Sequence, residues 1–269
     1  MKSNENESFS FVVFGDAHVG SVDSRYGDIV ERIAAVEPDF VVAAGDLTEN
    51  GREQAHWDTF FEVNKPLSDK AIPIYPVFGN HDQVLPDPFF LTFFQPPANK
   101  LWYSFDYRQA HFVMLYCPQG KGDMEEGDEQ YNWLIADLQK AGESGRLIFV
   151  VQHCCCFSST TVLGPSGKVP VLPELLAASE GIVMNFSGHS HAYERSIFPD
   201  RDNGKHFVTT AGAGILFPEK PVDVVPNPWQ VTAANIRHFV KVTVNPAVSV
   251  TVDAITIDGT CYESFSVAL

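Results

Sequence analysis

Three apolar runs within the first 82 residues stop in the same way. "FSFVVFGD" (residues 9–16), "FVVAAGD" (40–46) and "IPIYPVFGN" (72–80) are short, rich in β-branched and aromatic residues, and end at a glycine followed by Asp or Asn. Runs apolar at nearly every position read as strands covered on both faces, the condition of a parallel sheet under helices. The intervening "YGDIVERIAAVEPD" and "REQAHWDTFFEVN" carry helical spacing, the first stopped near Pro38. A strand–helix–strand order makes the strands parallel, and the polar residues then collect where their carboxyl ends open into a crevice. The chain is therefore expected to be an α/β protein with its chemistry along one sheet edge.

Beyond residue 86 the pattern changes. "DPFFLTFFQPPANK" is an aromatic, proline-bounded excursion that could line a pocket or join the core. Strands are predicted at "LWYSFDY", "HFVMLYC", "LIFVVQH" and "GIVMNFS", and helices at "DEQYNWLIADLQKAG" and "VPVLPELLAAS". From residue 206 to 269 the apolar residues alternate with period two, as in a closing antiparallel sheet, and "IDG" before Thr260 signals a hairpin. One domain over residues 1–269, with a polar tail at 1–8, accounts for the whole.

Composition narrows the partners. A hydrophobic content of 45% suits an ordinary core, and no apolar stretch approaches the ~20 residues of a membrane helix. The start passes from a polar tail straight into a strand, with no leader pattern, so a cytoplasmic location is expected. The net charge of −16 opposes nucleic acid and anionic membranes as partners. A small anionic substrate stays compatible, because bound cations reverse the local sign. Five cysteines, three of them consecutive at Cys154, Cys155 and Cys156, form neither a disulfide framework nor a zinc knuckle. These thiols are expected to be buried or to line a loop. Oligomeric state leaves no trace in the sequence.

Five polar clusters sit at strand ends: Asp16 with His18, Asp46, Asn80 with His81, His153, and His189 with His191. They hold five of the nine histidines, excluding His56, His111, His206 and His238. Singly, each has an ordinary reading as a cap, a turn or a bonded core residue. Jointly, carboxylate, amide and imidazole donors without thiolate suit Mn, Fe or Zn. Asp16 and His18 should point the same way from an extended backbone. Seven donors (Asp16, His18, Asp46, Asn80, His153, His189, His191) exceed one four-coordinate ion and suit two ions sharing a carboxylate.

The series D-x-H, G-D, G-N-H-D, H, G-H-x-H over residues 9 to about 196 resembles the calcineurin-like metallophosphoesterase superfamily. "GHSHAYERS" is similar to the last motif of purple acid phosphatases. Those enzymes carry a tyrosine three residues after the second-motif Asp, where this chain has Glu49, and a small residue where it has His18. The D-x-H form is similar instead to protein phosphatases, bacterial cyclic nucleotide phosphodiesterases and related nucleases.

The resemblance implies a four-layer α-β-β-α sandwich of two mixed sheets flanked by helices. It also implies two divalent or trivalent metal ions. Asp16, His18, Asp46 and His191 would hold one, and Asp46, Asn80, His153 and His189 the other. A shared hydroxide would attack phosphorus while His81, oriented by Glu49 or Asp82, protonates the leaving oxygen. The implied substrate is a small phosphomonoester or a nucleotide phosphodiester, cyclic nucleotides included. A non-catalytic binding protein on the same scaffold is the reading of another class. For Arg195, a phosphate clamp and a buried ion pair stay open, as do base stacking and loop packing for Trp229.

Overall fold

The computed structural model describes residues 7–82, 89–97, 100–117, 124–160, 169–216 and 227–269. Strands β1 (Phe9–Phe14), β2 (Phe40–Ala43) and β3 (Ile74–Pro76) lie side by side and parallel. Three antiparallel strands extend that sheet on the β1 side: β11 (His238–Asn245), β12 (Ser249–Thr256) and β13 (Cys261–Ala268). A second sheet runs in the order β10 (Gln230–Ala234), β8 (Tyr193–Phe198), β9 (Lys205–Thr210), β7 (Ile182–Ser187), β6 (Leu147–Gln152), β5 (Ala110–Leu115), β4 (Tyr103–Tyr107). Within it β5, β6, β7 and β9 are mutually parallel, and the outer strands run antiparallel to their neighbours.

Strand periodicity sorts the side chains into three apolar layers. Phe9, Phe11 and Val13 of β1 point between the sheets, where Phe11 meets Phe40, Phe112, Phe149 and Phe186 at ring-centroid distances of 5.0–6.2 Å. Val12 and Phe14 point the other way, against Ile29 and Ile33 of α1 (Tyr26–Ala35) and Trp57 and Phe60 of α2 (Gln54–Val63). Short helices α3 (Lys65–Ser68) and α4 (Phe89–Phe94) complete that layer. On the outer face of the second sheet, Val113, Ile148 and Val150 meet Leu134 and Leu138 of α5 (Glu129–Glu143) and Leu172 and Leu176 of α6 (Leu172–Ala178). The expected α-β-β-α sandwich of two mixed sheets is thus the architecture found. No helix among the described residues is long and apolar enough to cross a membrane.

Some local expectations need correction. The aromatic excursion forms α4, whose Phe90 is buried against Trp57 and Phe78, so it belongs to the core; Asp87, Pro88, Ala98 and Asn99 lie outside the described residues. Residues 205–210 do not join the closing antiparallel strands: β9 lies in the second sheet, parallel to β7. Strand β8 escapes an apolar-pattern reading because it buries Glu194 and Arg195. Glu194 accepts from Ser159 and Asn227, and Arg195 forms a two-pronged pair with Glu263 of β13. That pair, with Tyr193 donating to the same carboxylate, ties the two sheets together and answers the question left open for Arg195. Trp229 packs edge-on against Phe198, while residues 217–226 of the proline-rich loop lie outside the described residues.

Candidate metal centre

The carboxyl ends of β1, β2, β3, β6 and β7 converge on one edge of the sandwich, and every donor lies on the loop that leaves one of them. Backbone bonds across the gap hold these loops in register. Asp16 N–H donates to Gly45 O at 3.0 Å, His18 N–H to Asp46 O at 3.0 Å and Gly188 N–H to His153 O at 2.9 Å. Between the sheets, His189 N–H donates to Asp16 Oδ2 at 2.8 Å.

The local backbone departs from the extended geometry expected of Asp16 and His18. Asp16 (φ 61°), His18 (44°), Asp46 (53°), His189 (75°) and His191 (53°) all adopt left-handed φ. Such a conformation costs a non-glycine residue about 1–3 kcal/mol and persists where surrounding contacts enforce it, typically at functional sites. Asp and His tolerate it better than most residues, which helps to explain their use here. The adjacent glycines are matters of space. A Cβ on Gly79 would sit 2.1 Å from Asp46 N, and one on Gly188 would sit 2.6 Å from Ala44 O and 2.7 Å from Asp16 Oδ2.

Three overlapping groups bring one donor atom per residue within 4.8 Å: Asp16, His18 and His191; His18, Asp46 and His81; and Asp46, His153 and His189. Asp46 Oδ2 is the atom common to both halves, 3.5 Å from His18 Nε2 and 3.3 Å from His153 Nε2. Its partner oxygen Oδ1 accepts from His81 N–H at 2.7 Å, which fixes the rotation of the carboxylate. Asn80 Oδ1 lies 3.0 Å from His153 Nε2, and His189 Nδ1 lies 3.1 Å from the same atom. All seven expected donors are therefore brought together.

The surroundings fit a cation. Asp16 Oδ1 and His18 Nε2 are buried and make no hydrogen bond, which leaves two unsatisfied polar atoms at the centre of the site. Nδ1 of His153 donates to Ala44 O at 2.8 Å, which turns Nε2 toward Asp46, as the second nitrogen of a metal-binding histidine is usually oriented. Burial pulls the His153 imidazole down in pKa, but the Asp46 carboxylate more than offsets it and the net value is well above the ordinary one. Burial raises the Asp46 carboxyl, and His153 and His18 outweigh that, leaving it below the usual carboxylate range. Negative potential thus favours a proton, or a positive ion in its place, at this spot.

The three residues expected to handle the proton separate. His81 lies beside the donors at a ring-centroid distance of 4.4 Å from His18, about one third exposed, and its Nδ1 donates to the backbone carbonyl of Glu49 at 2.8 Å. The Glu49 carboxylate bonds His18 Nδ1 at 2.9 Å and stays 3.8 Å from His81 Nδ1. Among the described residues Asp82 makes no hydrogen bond to the His81 ring. Fully buried, its carboxylate accepts from the backbone N–H groups of Leu47, Thr48 and Gly79, holding the Asp46 and Asn80 loops together. Burial and the nearby Asp46 push its pKa up to about 6 against those bonds. A clue to this role was present in sequence, since an Asp in a tight Gly-Asn turn commonly accepts from local amides. Cys154, Cys155 and Cys156 are all buried, as expected. Among the described residues they enter no metal-binding group.

Known proteins place this geometry in context. Residues 9–193 match the sequence model of the calcineurin-like phosphoesterase family. Purple acid phosphatase 18 of Arabidopsis thaliana is 31% identical over 166 residues, covering 56% of this chain and 37% of that protein. The chain spans about two fifths of the length of the curated relatives it matches first. Among solved structures, purple acid phosphatase PPD1 from yellow lupin (Lupinus luteus) seeds superposes with a TM-score of 0.84 at 20% identity, covering 98% of this chain and 54% of that one. GAP50, the anchor in the inner membrane complex of Plasmodium, superposes with a TM-score of 0.72 at 15% identity, covering 97% and 89%. At such identities the likeness speaks for the fold, which a phosphatase and an anchor share.

Proposed function

This chain belongs to the calcineurin-like phosphoesterases, and from that premise we propose that it is a two-metal hydrolase of small phosphate esters. The observation that carries the reading is the donor set: seven side chains from five strand ends, linked through one carboxylate oxygen. Against a scaffold kept only for binding stand Asp16 Oδ1 and His18 Nε2, buried without a hydrogen bond on residues held in costly backbone conformations.

Asp16, His18, Asp46 and His191 would hold one ion, and Asp46, Asn80, His153 and His189 the other. Bound there, two ions would supply Lewis acidity toward the phosphoryl oxygens and lower the pKa of bound water. Mn, Fe and Zn suit this oxygen and nitrogen set. The chain's own residues do the rest. Main-chain bonds to Asp46 and His153 pre-set the donors, so little reorganisation is needed when ester replaces solvent. His81, held through Nδ1 by Glu49 O, would hand a proton from Nε2 to the leaving oxygen, a contribution of typically 10²–10⁴-fold. With a net charge of −16, the chain repels long polyanions, and bound ions would make the site attractive to a small phosphate.

Elemental analysis combined with turnover of p-nitrophenyl phosphate and bis-p-nitrophenyl phosphate in Mn²⁺ tests the reading and separates monoester from diester preference. His81→Asn should retain metal and lose about 10²–10⁴-fold in turnover. Inactivity of the metal-loaded wild type on both esters would refute the proposal.

A further inference from the structure

We propose that Glu49 is the positioning residue for His18, its carboxylate fixing which imidazole nitrogen faces the metal cage. The inference rests on the two-metal reading above and adds a residue to it. Glu49 uses two different atoms on two different histidines. Its carboxylate Oε2 lies 2.9 Å from His18 Nδ1, and its main-chain oxygen accepts from His81 Nδ1 at 2.8 Å. The other carboxylate oxygen is 3.8 Å from His81 Nδ1, beyond hydrogen-bonding range.

A neutral imidazole has one N–H, and a carboxylate can only accept. The contact at Nδ1 therefore puts the proton there and leaves the Nε2 lone pair toward Asp16 Oδ1 at 3.8 Å and Asp46 Oδ2 at 3.5 Å. Without that contact, the tautomer with its proton on Nε2 would point a hydrogen at the very place a cation must occupy. The strained backbone of His18, at φ 44°, gives the ring no regular secondary structure to lean on. Its loop is instead stitched to that of Glu49: Val19 N–H donates to Leu47 O at 3.1 Å and Glu49 N–H donates back to Val19 O at 2.9 Å. Gly51 N–H donates to His81 O at 2.8 Å, so the Glu49 main chain stays anchored whatever its side chain is. Side-chain substitution at position 49 thus addresses His18 and spares the carbonyl that holds His81.

The test is a Mn²⁺ titration of the metal-free full chain, following free Mn²⁺ by electron paramagnetic resonance, for wild type, Glu49→Ala and Glu49→Gln. Loss of a carboxylate behind a metal-binding histidine typically weakens affinity 10–100-fold. One of the two dissociation constants should rise by about that factor in Glu49→Ala. It should rise less in Glu49→Gln, which keeps an acceptor oxygen, and the other constant should hold in both. The Glu49 side chain is partly exposed, so neither variant empties a buried site, and Glu49→Gln alone suffices if Glu49→Ala misfolds. Two unchanged constants, or two that weaken together, would overturn the inference while leaving the two-metal reading intact. A wild type that binds no Mn²⁺ would overturn both.

Discussion

Adding a single methyl group at Gly79 should disable the centre without replacing any donor. A Cβ there would lie 2.1 Å from Asp46 N and 2.2 Å from Asp46 Oδ1. Ordinary contact begins at 3.4 Å, so the first gap must open by about 1.3 Å. The nearer clash is with main chain, so no rotamer change of Asp46 relieves it. Asp46 has to move, and it is the residue whose Oδ2 reaches both halves of the site. Misplacing a catalytic group by ~1 Å can cost about 10²-fold in rate, equivalent to ~2.7 kcal/mol. Overpacking adds about 1–3 kcal/mol of instability, which is ~2–12 °C in Tm for a chain of this size. Gly27 in α1 supplies the control, because nothing lies within 4 Å of its Cβ position and its φ is not left-handed. The same substitution there should stabilise by about 0.4–1 kcal/mol. Metal content, turnover of p-nitrophenyl phosphate and Tm should be measured for both variants. A Gly79→Ala chain with wild-type metal content and turnover would refute the argument.

Other expectations follow from groups away from the donors. His111 bonds Asp106 through Nδ1 at 2.6 Å and Asp137 of α5 through Nε2 at 2.9 Å. Burial lowers its pKa, but the two carboxylates outweigh burial and the net shift is upward. The unfolded chain therefore loses this proton first as pH rises. The stabilisation is full below about pH 6.5 and disappears as pH passes the higher folded-state value. The Tm gap between wild type and His111→Gln should narrow from about pH 6 to pH 9, and a constant gap would contradict this. Glu263→Ala leaves Arg195 buried and unpaired and should cost about 3–5 kcal/mol by urea denaturation; a loss below ~1 kcal/mol would show that the clasp is exposed in solution. Of five cysteines only Cys261 is exposed, so a chromogenic disulfide reagent should titrate one thiol in the native chain and five after denaturation. Burial raises the thiols of Cys155 and Cys156, and their rapid modification in the folded state would contradict the packing.

Periodicity by itself reached an α/β chain with its polar strand ends along one edge, while the four-layer sandwich came from the resemblance carried by the motifs. β1, β2 and β3 are short, apolar on both faces and separated by helices, so only a parallel sheet can bury them, and their polar ends must meet along one edge. Asp16, His18, Asp46, Asn80, His153, His189 and His191 are legible because each follows such a run. Strand β8 was not, since Glu194 and Arg195 look solvent-exposed until Ser159, Asn227 and Glu263 arrive from distant segments to satisfy them. The roles around His81 were equally hidden. Which histidine Glu49 serves, and whether Asp82 meets an imidazole or three amides, depends on distances between loops far apart along the chain. Periodicity constrains which face of an element is buried; it carries no information about the ångström-scale approach of one loop to another, and hydrogen bonding is decided at that scale.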